Sequence, residues 1–153
     1  MAGETQEPSI GWGGEVWLST DDAVANLAQM VQVKQFKVPG VTVDQVETTH
    51  LKSPARMKEF LDALGEGEEV GIVLNFRPDS DTDIACETWE GGRGKRAIRF
   101  NVPIGGVPVK TYDGIYTFSG YDRGEVTPDG LMEATLSVKL SGPITSSAYV
   151  EPA

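Results

Sequence analysis

The chain of 153 residues carries 23 acids against 13 bases, a net charge of −10, so it is long enough for one domain with a real core but too acidic to hold nucleic acid by neutralising phosphates. One cysteine, Cys86, leaves no intramolecular disulfide, and with His50 as the only histidine a Cys/His zinc site is out of reach. The opening MAGETQEPSIGWGG lacks the basic and apolar regions of an export signal, and no apolar run approaches the roughly 18 residues of a membrane span, which predicts a soluble protein made in the cytoplasm with no membrane partner.

Residues 1–14 are polar and rich in Gly, Pro and Glu, and are expected to form a flexible arm whose isolated Ile10 and Trp12 either cover a domain edge or dock on a neighbouring subunit. A single β domain is expected over residues 15–141, with a small-residue tail over 142–153. Glu15 to Thr20 alternates Val16 and Leu18 against Glu15, Trp17 and Ser19, a short strand. DDAVANLAQM suits a helical turn, and MVQVKQFKV has the β-branched alternation of a strand. Pro39-Gly40 is a type II turn signal, so Val41 to Leu51 is expected to fold back on that strand as its hairpin partner.

The next stretch predicts the main helix. Ser53 is a capping residue and Pro54 suits the first helical position. Met57, Phe60, Leu61 and Leu64 then recur at helical spacing while Arg56, Lys58, Glu59 and Asp62 face water, and Gly65 ends the run. The period then changes to two, with Val70, Ile72, Leu74 and Phe76 on one side of a strand. A short helix is expected next, capped by Asp81 or Thr82, with Ile84, Ala85, Thr88 and Trp89 inward and Gly91, Gly92 and Gly94 closing it. Arg96 to Ile104 alternates as a half-buried strand, Gly105 to Gly114 suits a loop, and Ile115 to Glu125 is a strand. After the turn TPDG, Leu131 to Leu140 places Met132, Ala134, Leu136, Val138 and Leu140 inward. Six or seven strands with one main helix predict a mainly β fold, a sandwich or barrel with one flanking α-helix.

Few residues nominate chemistry. Asp79, Asp81, Asp83, Glu87 and Glu90 have the spacing of a calcium loop, but Ile84 stands where glycine must make the sharp turn, so a capped helix explains them better. GGRGK lacks the spacing of a phosphate loop, and no cofactor motif is found. Arg93, Lys95, Arg96 and Arg99 form a basic cluster whose best functional use, in so acidic a chain, is pairing with another subunit. His50 has no nucleophile context and is expected to be structural. Cys86 falls on an inward helical position as a small hydrophobe. The many carboxylates nominate no glycosidase pair. No catalytic, cofactor or metal residue is assigned.

The order VDQVETTHLKSP, ARMKEFLDALGEGEEVGIVLNFRPDSDT, KRAIRFNVP and IYTFSGYDRGEVTPDGLMEATLSVKLSGPIT resembles the major tail tube proteins of long, flexible-tailed bacteriophages, the lambda-like tail tube family, over about residues 11–145. The resemblance implies a β-sandwich with a flanking helix that assembles into homo-hexameric rings, stacked as the conduit through which DNA leaves the virion. The type VI secretion tube is similar in fold. It also implies tape measure, tail terminator and distal tail proteins as partners, assembly in the host cytoplasm, and no enzymatic role. Some members carry a long loop between the strands joined here by Val38 to Val41, and a short turn is expected in its place. Six copies would carry about −60 per ring, so that a lumen of the same sign lets DNA slide without sticking. Gln32, Lys34, Asp44 and Glu47 are expected in that lumen. Ile10, Trp12, Arg56, Glu59, Asp62 and the basic cluster are expected between subunits. The alternative is a carbohydrate-binding β-sandwich using Trp12, Trp17, Tyr112 or Tyr121 as a sugar platform, with an enzyme third.

Overall fold

The computed structural model describes residues 10–149, so positions 1–9 of the expected arm and 150–153 of the expected tail lie outside the described residues. Ten strands and one α-helix follow in the order β1 Glu15–Leu18, β2 Ala28–Gln29, β3 Val33–Gln35, β4 Val41–Glu47, β5 Phe60–Gly67, β6 Glu69–Asn75, α1 Asp81–Gly92, β7 Lys95–Ile104, β8 Val107–Asp122, β9 Glu133–Leu140 and β10 Thr145–Ala148. The main sheet runs β2-β1-β7-β8-β9-β6-β3, with β10 on β8, while β4 and β5 pair only with each other. The fold is mainly β with one flanking helix.

Residues 30–32 tie the two ends of the sheet together. Met30 N–H donates to the Val16 carbonyl at 2.9 Å, and Asn75 N–H donates to the Gln32 carbonyl at 2.9 Å. The sheet therefore curls, and Phe36, just past β3, stacks on Phe100 of β7 at 5.2 Å between centroids. The interior is supplied by strand alternation. Val16 and Leu18, Ile98 and Phe100, Val70, Ile72 and Leu74, and Ala134, Leu136, Val138 and Leu140 are all buried on one face. These positions are the ones the period-two pattern selects.

The helix is not where its strongest signal lies. Ser53 makes no side-chain cap, and Pro54–Arg56 forms only a 3-10 turn. Arg56 has a φ of 57°, and the chain then enters β5 as an extended strand. The β-branched VTVDQVE needs a ladder for its backbone groups, and Phe60–Gly67 supplies it, so pairing overrides the helical propensity of that segment. The one α-helix among the described residues is the stretch expected to be short. Ser80, rather than Asp81 or Thr82, caps α1: its Oγ accepts the Asp83 N–H at 3.2 Å, and Asp83 Oδ2 accepts the Asp79 N–H at 3.0 Å. Its buried side chains are Thr82, Asp83, Cys86 and Trp89, so its inward face is rotated from the expected one, and Ile84 is exposed. Trp89 packs on Phe118 at 5.8 Å and donates its Nε1–H to the Gly94 carbonyl at 2.9 Å.

Three connections also differ from expectation. Pro39-Gly40 does not join a hairpin, since β3 pairs with β6 and β4 with β5. The expected loop from Gly105 to Gly114 is a tight turn at Gly105-Gly106 followed at once by β8. Thr145–Ala148 within the expected tail is a strand that pairs with β8 beyond the end of β9.

Candidate functional site

β4 and β5 form an arm that stands apart from the main sheet. Its root is a crossing at Glu68. Glu68 N–H donates to the Gly40 carbonyl at 3.0 Å, closing the arm's ladder, while Leu140 N–H donates to the Glu68 carbonyl at 3.3 Å, opening the ladder of β6 with β9. The Glu68 carboxylate accepts the Gly40 N–H at 3.0 Å and pairs with Lys37. These two donors, Lys37 first, hold its pKa below the usual carboxylate value. Gly67 passes so close to Leu140 that a Cβ there would stand 2.4 Å from the Leu140 carbonyl oxygen. The tip is ordered by its own polar groups. Thr48 N–H donates to the Glu59 carbonyl at 2.7 Å, Ser53 Oγ donates to Glu59 Oε2 at 2.9 Å, and His50 Nε2 lies 3.3 Å from the same carboxylate oxygen.

What distinguishes the arm is uncovered apolar surface on both of its faces. Cross-strand register puts Val41, Val43 and Phe60 on one face and the Val46–Leu61 pair on the other. All five are exposed, and Leu64, at the irregular point of the ladder, is 95% exposed. This two-stranded ribbon has apolar side chains on both sides and buries neither against the described residues. Exposed apolar side chains on both faces make the arm a candidate interaction surface.

A second surface is the outer face of β3, β6 and β9, opposite the core. It is polar: Lys34 pairs with Glu133, Lys139 Nζ donates to Glu66 Oε1 at 2.9 Å, and Asn75 Nδ2 donates to Gln32 Oε1 at 3.1 Å. Thr135, Ser137 and Gly71 lie between these pairs. The Glu66 contact raises the Lys139 pKa and lowers that of Glu66. Of the residues expected in a lumen, Gln32 and Lys34 are brought together on this face, whereas Asp44 and Glu47 stand on the arm, in the other sheet.

The basic cluster is divided by strand alternation. Arg99 takes its acid within the chain, with Nε 2.8 Å from Asp113 Oδ1 and a second bond at 3.3 Å to Oδ2, the two side chains only 11% and 20% exposed. Arg96 lies on the other face over the Trp89 ring at 5.6 Å from its centroid, where burial lowers its pKa. Arg93, the helix C-cap, and Lys95 are exposed. Arg56, Glu59 and Asp62, expected on the outer face of a helix, belong to the arm, where Asp62 accepts from Gln45. Trp12 is exposed with its ring lying against Gly106, which has no side chain to displace it, and Ile10 is exposed beside it in sequence.

The other candidates are held by their surroundings. The aromatic platform does not form, because Tyr121 is buried with its hydroxyl donating to Asp83 Oδ1 at 2.9 Å, and Trp17 and Tyr112 are partly buried. Asp83 is thus engaged by Tyr121 and the helix cap, while Glu87 and Glu90 turn to Arg123 at 3.5 and 3.2 Å. Burial and the neighbouring Asp83 push the Cys86 thiol up to about 12, far from a reactive thiolate. The arm is the feature that sequence reasoning missed. No single period marks it in the sequence, because its apolar residues lie on both faces and its ladder is irregular between Val43 and Gln45.

No family model matches the chain, and no curated protein matches it by sequence. Solved structures do. The chain is similar to a protein in the tail of an empty gene transfer agent particle determined with C6 symmetry, at 14% identity over 88% of this chain and 95% of that one, TM-score 0.66. It has the tail tube fold. A chain in the six-fold symmetrised baseplate of the anti-feeding prophage matches with TM-score 0.72 at 9% identity, covering 94% of this chain and 97% of that one. The SPP1 tail tube protein matches with TM-score 0.64 at 10% identity, covering 94% and 81%. The short turn expected at Pro39-Gly40 does not join β3 to its partner: β3 reaches β6 only through the whole of the arm.

Proposed function

We propose that this chain is the structural subunit of a tail tube in a phage-like particle, assembling as hexameric rings that stack around a channel for DNA. The observation that carries the proposal is the arm, whose two apolar faces find no cover among the described residues; further copies would supply it. The tail tube fold and the C6 symmetry of the similar gene transfer agent tail support six copies per ring. Residues Arg56, Glu59 and Asp62 enter the interfaces as part of the arm, as do Ile10 and Trp12, whose ring lies against Gly106. Arg93 and Lys95 remain exposed to meet a neighbour's carboxylates.

The polar outer face of β3, β6 and β9, with Gln32 and Lys34, lines the channel. Its cations are matched by Glu133 and Glu66, so phosphates gliding past meet no free row of positive charge, and the net −10 of each copy adds a repulsive background. In the virion the tube is continued by terminator, tape measure and distal tail proteins.

Electron microscopy of the purified chain tests the proposal. Six-membered rings or tubes are expected, and the double substitution Val46→Glu, Leu61→Glu is expected to abolish them by placing charge on one arm face. A chain that stays monomeric at every concentration and salt tried overturns it.

A further inference from the structure

The tip of the arm and one loop of the domain have opposite charge and lie at opposite ends of the molecule. In a chain of net charge −10, residues 48–59 at the tip hold three cations, Lys52, Arg56 and Lys58, against the single carboxylate Glu59. Glu59 is already engaged by Ser53 and His50, and among the described residues no ion pair involves the three cations. Beside them Leu51 and Met57 are exposed. The loop between β8 and β9 is the reverse. Glu125 and Asp129 are exposed there, among the described residues neither joins an ion pair, and Val126 and Leu131 are exposed beside them. The one cation of that loop, Arg123, is turned away to Glu87 and Glu90.

Topology keeps these two surfaces apart within one chain. The arm leaves the main sheet where Glu69 pairs with Lys139, and the acidic loop enters β9 at the other end, where Glu133 pairs with Asn75. β9 alone separates them by roughly 23 Å at about 3.3 Å per residue, and β5 carries the tip farther in the same sense, since ladder bonds run from Phe60 through Glu68 into β6. A surface on one end complementary to a surface on the other makes a head-to-tail contact, which repeats along an axis instead of closing on itself in pairs.

We propose that the arm tip of one copy seats on the β8–β9 loop of a second copy placed end-on to it, with Lys52, Arg56 and Lys58 facing Glu125 and Asp129 while Leu51 and Met57 cover Val126 and Leu131. This rests on the reading that the chain assembles with itself, and names the axial contact within that assembly. Charge complementarity sets the register and the rate of docking, and the apolar pairs hold it.

A charge-swap series tests the contact. The tip variant Lys52→Glu, Arg56→Glu, Lys58→Glu and the loop variant Glu125→Lys, Asp129→Lys change only exposed side chains, so melting temperatures should match the unmodified chain. Each variant alone is expected to raise the concentration for half-maximal tube formation at least about tenfold, because like charges face each other, while single rings persist in electron micrographs. Tip and loop changes combined in one chain should restore tubes. Intact tubes in either single variant, or no recovery in the combined one, overturns the axial contact while leaving self-assembly standing. Failure of the unmodified chain to form rings or tubes overturns the assembly reading and this inference with it.

Discussion

Gly67 sits where the arm joins the domain, and replacing it with alanine should damage that joint far more than the same change two residues away. A Cβ at position 67 would lie 2.4 Å from the Leu140 carbonyl oxygen and 2.6 Å from the Leu140 Cβ, both at the end of β9, which is flanked by β8 and β6. Neither atom can rotate away, so β5 and β9 must separate by about an ångström, at a cost of about 1–3 kcal/mol. At position 65 the nearest atom is the Val41 Cγ1 at 3.0 Å, the end of an exposed side chain that can turn. Gly67 and Gly65 both have negative φ, and both substitutions restrict the unfolded chain equally, so that contribution of about 0.4–1 kcal/mol cancels in the comparison. Urea unfolding of the two variants at a concentration where the chain is monomeric measures the difference directly. Gly67→Ala should be less stable than Gly65→Ala by about 1–3 kcal/mol, with faster hydrogen exchange at the Leu140 amide, which donates across the joint to Glu68. Equal stabilities would refute the claim that the arm is clamped at Gly67.

Tyr121→Phe removes the hydroxyl that donates to buried Asp83, and a bond to a charged group of this kind is worth about 1.5–3 kcal/mol. The melting temperature should drop by roughly 3–12 °C for a domain of this size, and a drop under one degree would show that the bond contributes nothing. Glu68 has a depressed folded pKa, so its bonds to Lys37 and Gly40 contribute stability above the unfolded carboxylate pKa of about 4.3 and lose it as pH falls through the lower folded value. In a titration followed by NMR, the Gly40 amide signal should move with a midpoint below about 4.3, and Glu68→Gln should remove that step. A midpoint at or above that value would contradict the assigned contacts.

Strands whose two sides face different media were legible in the sequence, because burial imposes period two on them. Val70, Ile72 and Leu74 in β6 and the run from Ala134 to Leu140 in β9 are examples, each buried as its alternation predicts. The arm was not legible for the opposite reason. With both faces outside the core, Met57, Phe60, Leu61 and Leu64 are free of any one period, and their spacing matched a helix whose buried side does not exist. The true helix had few apolar residues because its inner face is partly polar, with Thr82 and Asp83 buried there by bonds to Val31 and Tyr121. Those partners are distant in sequence. The same holds for Arg99, whose acid, Asp113, is reached only through strand register. Charge pattern, in contrast, was visible from the start, but it divides among surfaces only when the strands have set which side chains share a face.

β5 and β6 follow one another with only Glu68 between them, which makes the arm one limb of a lever whose other limb is β6. Glu68 is its fulcrum, held by β4 on one side and by β9 on the other. A load applied at the tip is delivered not to a hinge loop but to Val70, Ile72 and Leu74, side chains packed in the interior. Within each molecule strain would thus pass from tip to core through backbone hydrogen bonds, a stiffness that no flexible tether between domains could supply.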